Sequence, residues 1–209
     1  MRASRPGKIV CVGRNYREHA RELGNEVPAE PLLFLKPPSS VIASGDAIVL
    51  PRASQRVEYE GEIGVVVRRT LRRASEDEAA EAIAGVVAVN DVTARDLQRS
   101  DGQWTRAKGF DTFCPLASNV VPMPGDSRAL TIVTRLNGEE RQRATAADMV
   151  FSIPRLLAYI AGVMTLEPGD LVATGTPAGV GPLAPGDVVE VEVCGASRVS
   201  NPVIAEGDR

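Results

Sequence analysis

The sequence is poor in histidine, cysteine and aromatic residues. It has one histidine, His19, and three cysteines, Cys11, Cys114 and Cys194, while aromatic residues make up 4% of the chain. The cysteines are far apart, odd in number and form no Cys-x-x-Cys pair, which argues against a disulfide framework. Cysteine usage therefore favours a reducing compartment. We expect a cytoplasmic protein in which the cysteines are small core residues.

Long apolar runs and long basic runs are also absent. No apolar stretch approaches the length of a membrane span, and the one after residues 1–6 is too short for a signal peptide. The net charge of −3, the pI of about 5.4 and the lack of a basic run with interleaved aromatics argue against nucleic acid. We therefore expect neither a membrane nor a nucleic acid as partner.

The length and the hydrophobic content set the domain organisation. A chain of 209 residues that is 44% hydrophobic can bury one full core. We therefore expect a single domain over residues 1–209, with a loose tail at residues 1–7.

The most unusual stretch is residues 57–67, VEYEGEIGVVV. Its β-branched end and its lack of a helical pattern predict a strand, in which Glu58, Glu60 and Glu62 share one face. Carboxylates roughly 6–7 Å apart on a strand repel each other, and a divalent cation removes that repulsion. The alternative is an edge strand with a solvated acidic face. This stretch alone does not decide between the two.

The one histidine stands in a short predicted helix over residues 15–24. Asn15 and Glu18 have the spacing of a capping box. His19 and Glu22 are three positions apart and therefore neighbours on one helix face. Such a pair is either a helix-surface pair, which its position alone favours, or a general base oriented by a carboxylate.

Capping and turn signals predict several further elements. The Ser-Glu-Asp-Glu sequence that opens residues 75–84 predicts a capped helix. Residues 86–89 form a predicted buried strand, after which Asp91 stands at the strand end or serves as an N-cap. A loop is predicted over residues 104–112, where Lys108 taken alone would be solvated.

The second half of the chain contains the clearest local signals. Asn137-Gly138 between residues 130–136 and 139–143 predicts a hairpin with a type I′ turn. Residues 152–162 predict an apolar helix. The glycine-rich residues 174–182 lack a P-loop lysine and a following helix, so they do not indicate a phosphate site. Glycine there lets the backbone approach a ligand closely.

Six motifs occur together in a characteristic order. They are VCVGRNY at 10–16 followed by His19, FLKP at 34–37, EGE at 60–62, DVTARD at 91–96, WTRAK at 104–108 with FDT at 110–112, and TGTPAGVG at 174–181. Over nearly its whole length the chain thereby resembles the fumarylacetoacetate hydrolase family, and most closely its small single-domain acylpyruvate hydrolases. The resemblance implies an α+β fold, with a rolled mixed β-sheet and short flanking helices, and a homodimer.

The resemblance also implies a set of site residues. Glu60, Glu62 and Asp91 would bind one Mg²⁺ or Mn²⁺, and three oxygen ligands without a His or Cys cluster suit those ions better than Zn²⁺. The implied catalytic residues are His19 and Glu22 as a base dyad, with Lys108 as a second cation. The implied substrate-binding residues are Arg14, Tyr16, Arg95, Gln98 and Thr176.

The activity that the resemblance implies is cleavage of a carbon–carbon bond in acylpyruvates, which are small 2-oxo acids, to pyruvate and a carboxylic acid. The same site could also decarboxylate oxaloacetate. One alternative is an isomerase or decarboxylase of 2-hydroxy-dienedioates from aromatic degradation. Another is a non-catalytic metal- or ligand-binding β module. His19 speaks against the binding module, because such a module has no use for a general base.

Overall fold

The computed structural model of the chain describes residues 6–22 and 24–208. Most of the tail expected at residues 1–7 lies outside the described residues. The strands are β1 (Ile9–Gly13), β2 (Leu32–Lys36), β3 (Val41–Ile42), β4 (Ile48–Leu50), β5 (Val57–Tyr59), β6 (Gly61–Val67), β7 (Ile83–Asn90), β8 (Thr93–Ala94), β9 (Cys114–Pro115), β10 (Thr131–Leu136), β11 (Glu139–Thr145), β12 (Leu171–Ala173), β13 (Gly181–Pro182), β14 (Val188–Val193) and β15 (Ser197–Ala205). The helices are α1 (Arg17–Glu22), α2 (Glu76–Glu81), α3 (Arg95–Ser100), α4 (Thr105–Gly109) and α5 (Ile153–Val163), with 3₁₀ turns at Pro38–Ser40, Ser127–Ala129 and Ala146–Asp148.

Two five-stranded mixed sheets form the body of the protein. The first has the order β2-β1-β12-β6-β7 and the second the order β11-β10-β14-β15-β4. In the first sheet only β1 and β12 are parallel, and in the second only β15 and β4 are parallel. The predicted α+β fold with mixed sheets and short helices is confirmed.

The core lies between these sheets, because β6 and β7 pack against β10, β14 and β15. Ile63, Val87, Ile132 and Val191 belong to one buried cluster there, and each contributes roughly 1.5–3 kcal/mol by leaving water. A smaller cluster around Phe113 includes one residue each from α3 and α4. This smaller cluster fixes the two short helices that carry several of the predicted site residues.

The acidic stretch is not one strand. It breaks at Glu60 into β5, which pairs with β8 and β13, and β6, which pairs with β7 and β12. Gly61 follows the break, and a Cβ atom there would lie 1.9 Å from the Thr134 hydroxyl oxygen of β10. The second sheet thus fills the space that any larger residue at position 61 would need.

Several local predictions are confirmed. Asn137 and Gly138 have φ angles of 54° and 82°, as a type I′ turn between β10 and β11 requires. The capping box of Ser75 and Glu78 opens α2. Helix α5 begins at Ile153 as expected.

Other local predictions were wrong. Asn15 does not cap a helix, since its side-chain amide donates to the carbonyls of Phe151 and Thr174. Helix α2 ends at Glu81 and does not continue to residue 84, because β7 begins at Ile83. Within β7, a Cβ atom at Gly85 would be 2.3 Å from the Val121 carbonyl oxygen. The predicted loop at residues 104–112 contains helix α4.

None of the helices within residues 6–22 and 24–208 combines the length and the apolar character needed to cross a bilayer. The cytoplasmic location stays a prediction.

Candidate metal and substrate site

Three carboxylates from two neighbouring strands meet at the point where β5 gives way to β6. Glu60 lies in the break, Glu62 is on β6, and Asp91 follows the end of β7. The Asp91 N–H donates to the Glu60 carbonyl at 2.8 Å, which ties the two segments together. All three side chains are buried, and one oxygen of each lies within 4.8 Å of the others. The structure therefore brings together the predicted ligand set.

Buried basic groups surround two of these carboxylates. The Lys108 ammonium lies 2.7 Å from Glu60 Oε2 and 2.6 Å from Asp91 Oδ2. Lys36 donates to Asp91 Oδ1 at 2.7 Å, and Arg95 donates to Glu60 Oε1 at 2.6 Å. Lys108 is therefore a buried site residue, in contrast to the solvated lysine that its local sequence suggests.

Glu58 has a supporting position. It is buried, and its Oε2 accepts from Arg95 Nε at 2.8 Å, while Oε1 accepts from Arg56. Arg95 is thus held between Glu58 and Glu60, and its positive charge is paired with these two carboxylates.

Glu62 differs from its two neighbours because no basic side chain in the described part of the chain pairs with it. Burial, followed by the charges of Asp91 and Glu60, raises the pKa of Glu62 well above its usual range. For Glu60, burial alone would raise the pKa, but Lys108 and Arg95 outweigh it and lower that pKa. In the same way burial opposes the charge on Lys108, yet Asp91 and Glu60 prevail and raise its pKa to about 12.

The charge balance of this buried cluster fits a divalent cation. Among the buried groups, Glu58, Glu60 and Asp91 pair with Lys36, Arg95 and Lys108, and the half-exposed Arg56 also pairs with Glu58. Glu62 is the carboxylate that no basic side chain of the described residues pairs with. Buried charges are costly unless they are paired. Oxygen ligands of this kind suit Mg²⁺ or Mn²⁺.

His19 faces the same cluster. It is 5% exposed, and its Nδ1 lies 3.3 Å from Glu22 Oε2. The backbone N–H of Gly179 donates to both carboxylate oxygens of Glu22, at 3.0 and 3.2 Å, and holds that carboxylate in place. Burial lowers the pKa of His19, although Glu60 and Glu22 counteract it. The alternative of a helix-surface pair does not fit His19, because its imidazole is buried although Glu22 is exposed.

A cavity of about 250 Å³ joins these groups. Its lining includes the predicted site residues Arg14, His19, Glu60, Glu62, Asp91, Arg95, Gln98, Lys108 and Thr176, together with Val12, Gly13, Asn25, Phe34, Arg99 and Trp104. Glu22 does not line the cavity itself, but it contacts His19, which does. Tyr16 is the predicted site residue that the structure does not bring to the cavity. Its ring is buried and lines a neighbouring cavity beside Met149.

Gln142 is a buried residue that sequence reasoning missed. Its side-chain oxygen accepts from the Gly61 N–H at 3.0 Å, and its amide donates to the Thr176 hydroxyl and the Pro177 carbonyl, both at 2.8 Å. The Thr176 hydroxyl in turn donates to the Gly61 carbonyl at 2.8 Å. The Thr176 side chain thus has no hydrogen left to donate to a substrate.

Sequence signals for the missed residues are weak. Lys36 belongs to the FLKP motif, where a lysine ends an apolar strand. Gln142 stands among charged residues in β11, and nothing in its neighbourhood marks it as buried.

Comparison with known proteins decides the family. Residues 8–204 match the model described as fumarylacetoacetate (FAA) hydrolase C-terminal. The chain belongs to this family. Fumarylacetoacetate hydrolase family enzymes are generally dependent on a divalent metal, and the acidic cluster of Glu60, Glu62 and Asp91 could bind one.

Named relatives in the fumarylacetoacetate hydrolase family have several activities. The chain is 43% identical to the oxaloacetate tautomerase of Escherichia coli, covering 91% of this chain and 90% of that protein. It is 40% identical to the mitochondrial oxaloacetate decarboxylase of Dictyostelium discoideum, with coverage of 90% and 89%. The crystal structure of 5-carboxymethyl-2-hydroxymuconate delta-isomerase from Mycobacterium smegmatis superposes with a TM-score of 0.90 at 43% identity, covering 98% and 81%. The protein is an enzyme of this family, of the hydrolase, isomerase or decarboxylase type.

Proposed function

We propose that the protein is a divalent-metal-dependent enzyme acting on small 2-oxo acids with a carbonyl or carboxylate group at C4, namely oxaloacetate and short acylpyruvates. The observation that carries this proposal is the cluster of Glu60, Glu62 and Asp91, which shares one small cavity with His19 and Lys108. The names of the relatives support a substrate of the oxaloacetate type.

Glu60, Glu62 and Asp91 are the residues that would hold the ion. When bound, a divalent ion supplies a Lewis acid that polarises the 2-oxo group and stabilises negative charge developing on its oxygen. Lys108 adds a permanent positive charge at the same place, since its pKa of about 12 keeps it protonated at neutral pH. Glu58 keeps Arg95 oriented toward Glu60.

Three reactions of such acids develop negative charge on the C2 oxygen, and all three need that charge to be stabilised. Tautomerisation of oxaloacetate moves a proton between C3 and the C2 oxygen. Decarboxylation breaks the C3–C4 bond, releases CO₂ and leaves the enolate of pyruvate. In hydrolysis of an acylpyruvate, water adds to the C4 carbonyl before C3–C4 cleavage gives a carboxylic acid and the same enolate. Only hydrolysis needs an activated water molecule.

The pair of His19 and Glu22 favours hydrolysis as a second activity of the site. A neutral imidazole that donates from Nδ1 to Glu22 has its Nε2 lone pair free to take a proton from water. That proton can then be returned to C3 of the enolate, which completes pyruvate. The buried imidazole of His19, held by Glu22, also argues against the non-catalytic binding module.

The size of the cavity favours short substrates. Pockets for drug-sized ligands measure roughly 300–1,000 Å³, and this cavity measures about 250 Å³. Oxaloacetate and acetylpyruvate suit it better than the longer dienedioates of the isomerase alternative.

The test begins with protein freed of metal by chelation. Mg²⁺ or Mn²⁺ is added back while thermal stability is followed, and rates are then measured on oxaloacetate, acetylpyruvate, longer acylpyruvates and fumarylpyruvate. For oxaloacetate the enol form and the released CO₂ are followed separately. We expect metal-dependent turnover of oxaloacetate or acetylpyruvate. Stabilisation by the metal with no turnover of any of these acids would contradict the proposal and favour the binding module.

We also propose that the protein acts as a homodimer, as its resemblance to the family implies. Light scattering on the eluted protein gives the mass in solution, and a monomer at micromolar concentration would contradict this.

A further inference from the structure

One face of helix α3 lines the cavity. Arg95, Gln98 and Arg99 have the i, i+3, i+4 spacing of a single helix face, and all three belong to the cavity wall. The charge of Arg95 is already paired within the protein, because Arg95 binds Glu58 and Glu60 and donates to the side-chain oxygen Oε1 of Gln98 at 2.5 Å. Arg99 is exposed, and its side chain makes no ion pair or hydrogen bond within residues 6–22 and 24–208. Its guanidinium is therefore free to bind a ligand.

Arg14 lines the same cavity and likewise has no ion pair among the described residues. Its backbone is left-handed, with φ of 58°, a conformation that non-glycine residues rarely adopt without a structural reason. The reason lies in the next residue, because the Asn15 side chain is fixed by hydrogen bonds to Phe151 and Thr174. The fold thus holds Arg14 at the cavity at some conformational cost.

These two arginines change the charge that a ligand meets. Glu62 is the carboxylate of the buried cluster without a basic partner among the described residues, and a divalent ion held there would add positive charge to the cavity. Arg14 and Arg99 add two more positive charges at the wall. A dianion compensates this charge better than a monoanion, and guanidinium groups bind carboxylates with paired hydrogen bonds.

The cavity also offers an apolar surface. Phe34 and Trp104 both line it and contact each other edge to face at a centroid distance of 5.2 Å. This surface suits the neutral acyl chain of an acylpyruvate, which is the alternative to a substrate with a second carboxylate.

We propose that Arg99, together with Arg14 in the wall of the same cavity, binds the carboxylate at the far end of the substrate, so that the enzyme prefers dicarboxylic 2-oxo acids of the oxaloacetate type to acylpyruvates with a neutral tail. This inference rests on the proposed function and narrows its substrate class.

The test compares Arg99→Ala and Arg99→Lys with the wild type. Arg72→Ala is the matched control, because Arg72 is another exposed arginine and lines neither of the two cavities described above. For each protein, kcat and KM are measured with saturating Mg²⁺ on oxaloacetate and on acetylpyruvate. Thermal stabilisation by each acid is measured in parallel, since this readout does not need turnover.

We expect Arg99→Ala to raise KM for oxaloacetate about 3- to 10-fold with little change in kcat. This is the range for one charge-assisted hydrogen bond at a partly exposed position. KM for acetylpyruvate should change less than about 2-fold on the same reasoning. Arg99→Lys should lie between the wild type and Arg99→Ala, because it retains the charge but loses the planar fork. Arg72→Ala should leave both substrates unchanged.

Three results would overturn the inference. They are an unchanged preference between the two acids in Arg99→Ala, an equal loss for both acids, and a change of the same size in Arg72→Ala. If the wild type turns over neither acid, the proposed function fails. The inference is then judged by binding alone, and equal stabilisation of the wild type by both acids rejects it.

Discussion

The ammonium nitrogen of Lys108 lies 2.6 Å from Oδ2 of Asp91, a residue 17 positions earlier in the chain. The same nitrogen is 2.7 Å from Glu60 Oε2. One buried cation thus bridges two of the three carboxylates predicted to hold the metal. It can stabilise a developing anion only because helix α4 brings it to the end of β7.

Replacing Lys108 by methionine tests this relationship. We expect kcat on oxaloacetate to fall about 10²- to 10³-fold, as when one preorganised stabilising group is removed from an active site. The metal-free protein should lose about 3–5 kcal/mol of unfolding free energy, because two buried carboxylates lose their shared partner. Added Mg²⁺ should stabilise it more than it stabilises the wild type. Arg106→Ala on the exposed part of α4 is the control for helix integrity, and activity within 10-fold of wild type in Lys108→Met would remove Lys108 from the mechanism.

Replacing Glu62 by glutamine should have opposite effects on stability and on function: the metal-free protein becomes more stable, and activity is lost. Burial and the neighbouring charges of Asp91 and Glu60 disfavour the ionised form of Glu62 and raise its pKa, so a neutral isostere should make the metal-free protein more stable. The Gly175 N–H can still donate to the amide oxygen, as it does to Glu62 at 2.8 Å. Stabilisation by Mg²⁺ and catalytic activity should both disappear. These quantities are measured by denaturant unfolding with and without Mg²⁺ and by turnover of oxaloacetate.

Glu58→Gln provides the contrast to Glu62→Gln. Glu58 pairs with Arg95 and lies outside the carboxylate cluster, so this variant should be less stable without metal yet keep its response to Mg²⁺. Loss of the Mg²⁺ response in Glu58→Gln but not in Glu62→Gln would show that the ion binds elsewhere.

His19→Ala should affect hydrolysis much more than decarboxylation. General-base catalysis contributes about 10²- to 10⁴-fold, and only acylpyruvate hydrolysis needs a deprotonated water molecule. We therefore expect acetylpyruvate hydrolysis to fall by that range while oxaloacetate decarboxylation changes little. Glu18→Ala, which removes an exposed ion pair with Arg21 on the same helix, should change neither rate. Equal loss of both activities in His19→Ala would contradict a role in activating water.

The pH dependence of hydrolysis follows from the same histidine. Burial lowers the pKa of His19 below its ordinary value of 6.5, and a general base must be neutral to act. The rate should therefore rise with pH through a limb below pH 6.5 and be flat at pH 7. Glu22 raises the pKa of His19, so Glu22→Gln should move the limb to still lower pH. A limb above pH 6.5 in the profile of kcat/KM would contradict this assignment.

Gln142→Leu tests whether Gln142 positions the site. The change leaves the Gly61 N–H and the Pro177 carbonyl without their Gln142 partner and removes one of the two hydrogen bonds of the Thr176 hydroxyl. This should cost about 2–4 kcal/mol of unfolding free energy. Because Gly61 lies between Glu60 and Glu62, the affinity for Mg²⁺ should also weaken, as titration of the folded variant would show. Glu140→Ala on the exposed side of β11 should alter neither quantity. An unchanged Mg²⁺ affinity in Gln142→Leu would limit Gln142 to a structural role.

The sequence by itself determined the features that depend on neighbouring residues. The Asn137-Gly138 turn and the capping box of Ser75 and Glu78 use backbone preferences and hydrogen bonds within a few positions. The motifs around Glu60-Gly61-Glu62 and Asp91 were enough to indicate the family and the carboxylates that meet in the structure.

Only the tertiary structure decided which side chains are buried and what they pair with. Lys36 and Asp91 are 55 positions apart, and Gln142 and Gly61 are 81 positions apart, so no local pattern relates them. Asn15 had a plausible local role as a cap, but contacts with Phe151 and Thr174 replaced it. Burial makes an unpaired charge or polar group costly, and which groups are buried together depends on how the two sheets and the short helices pack.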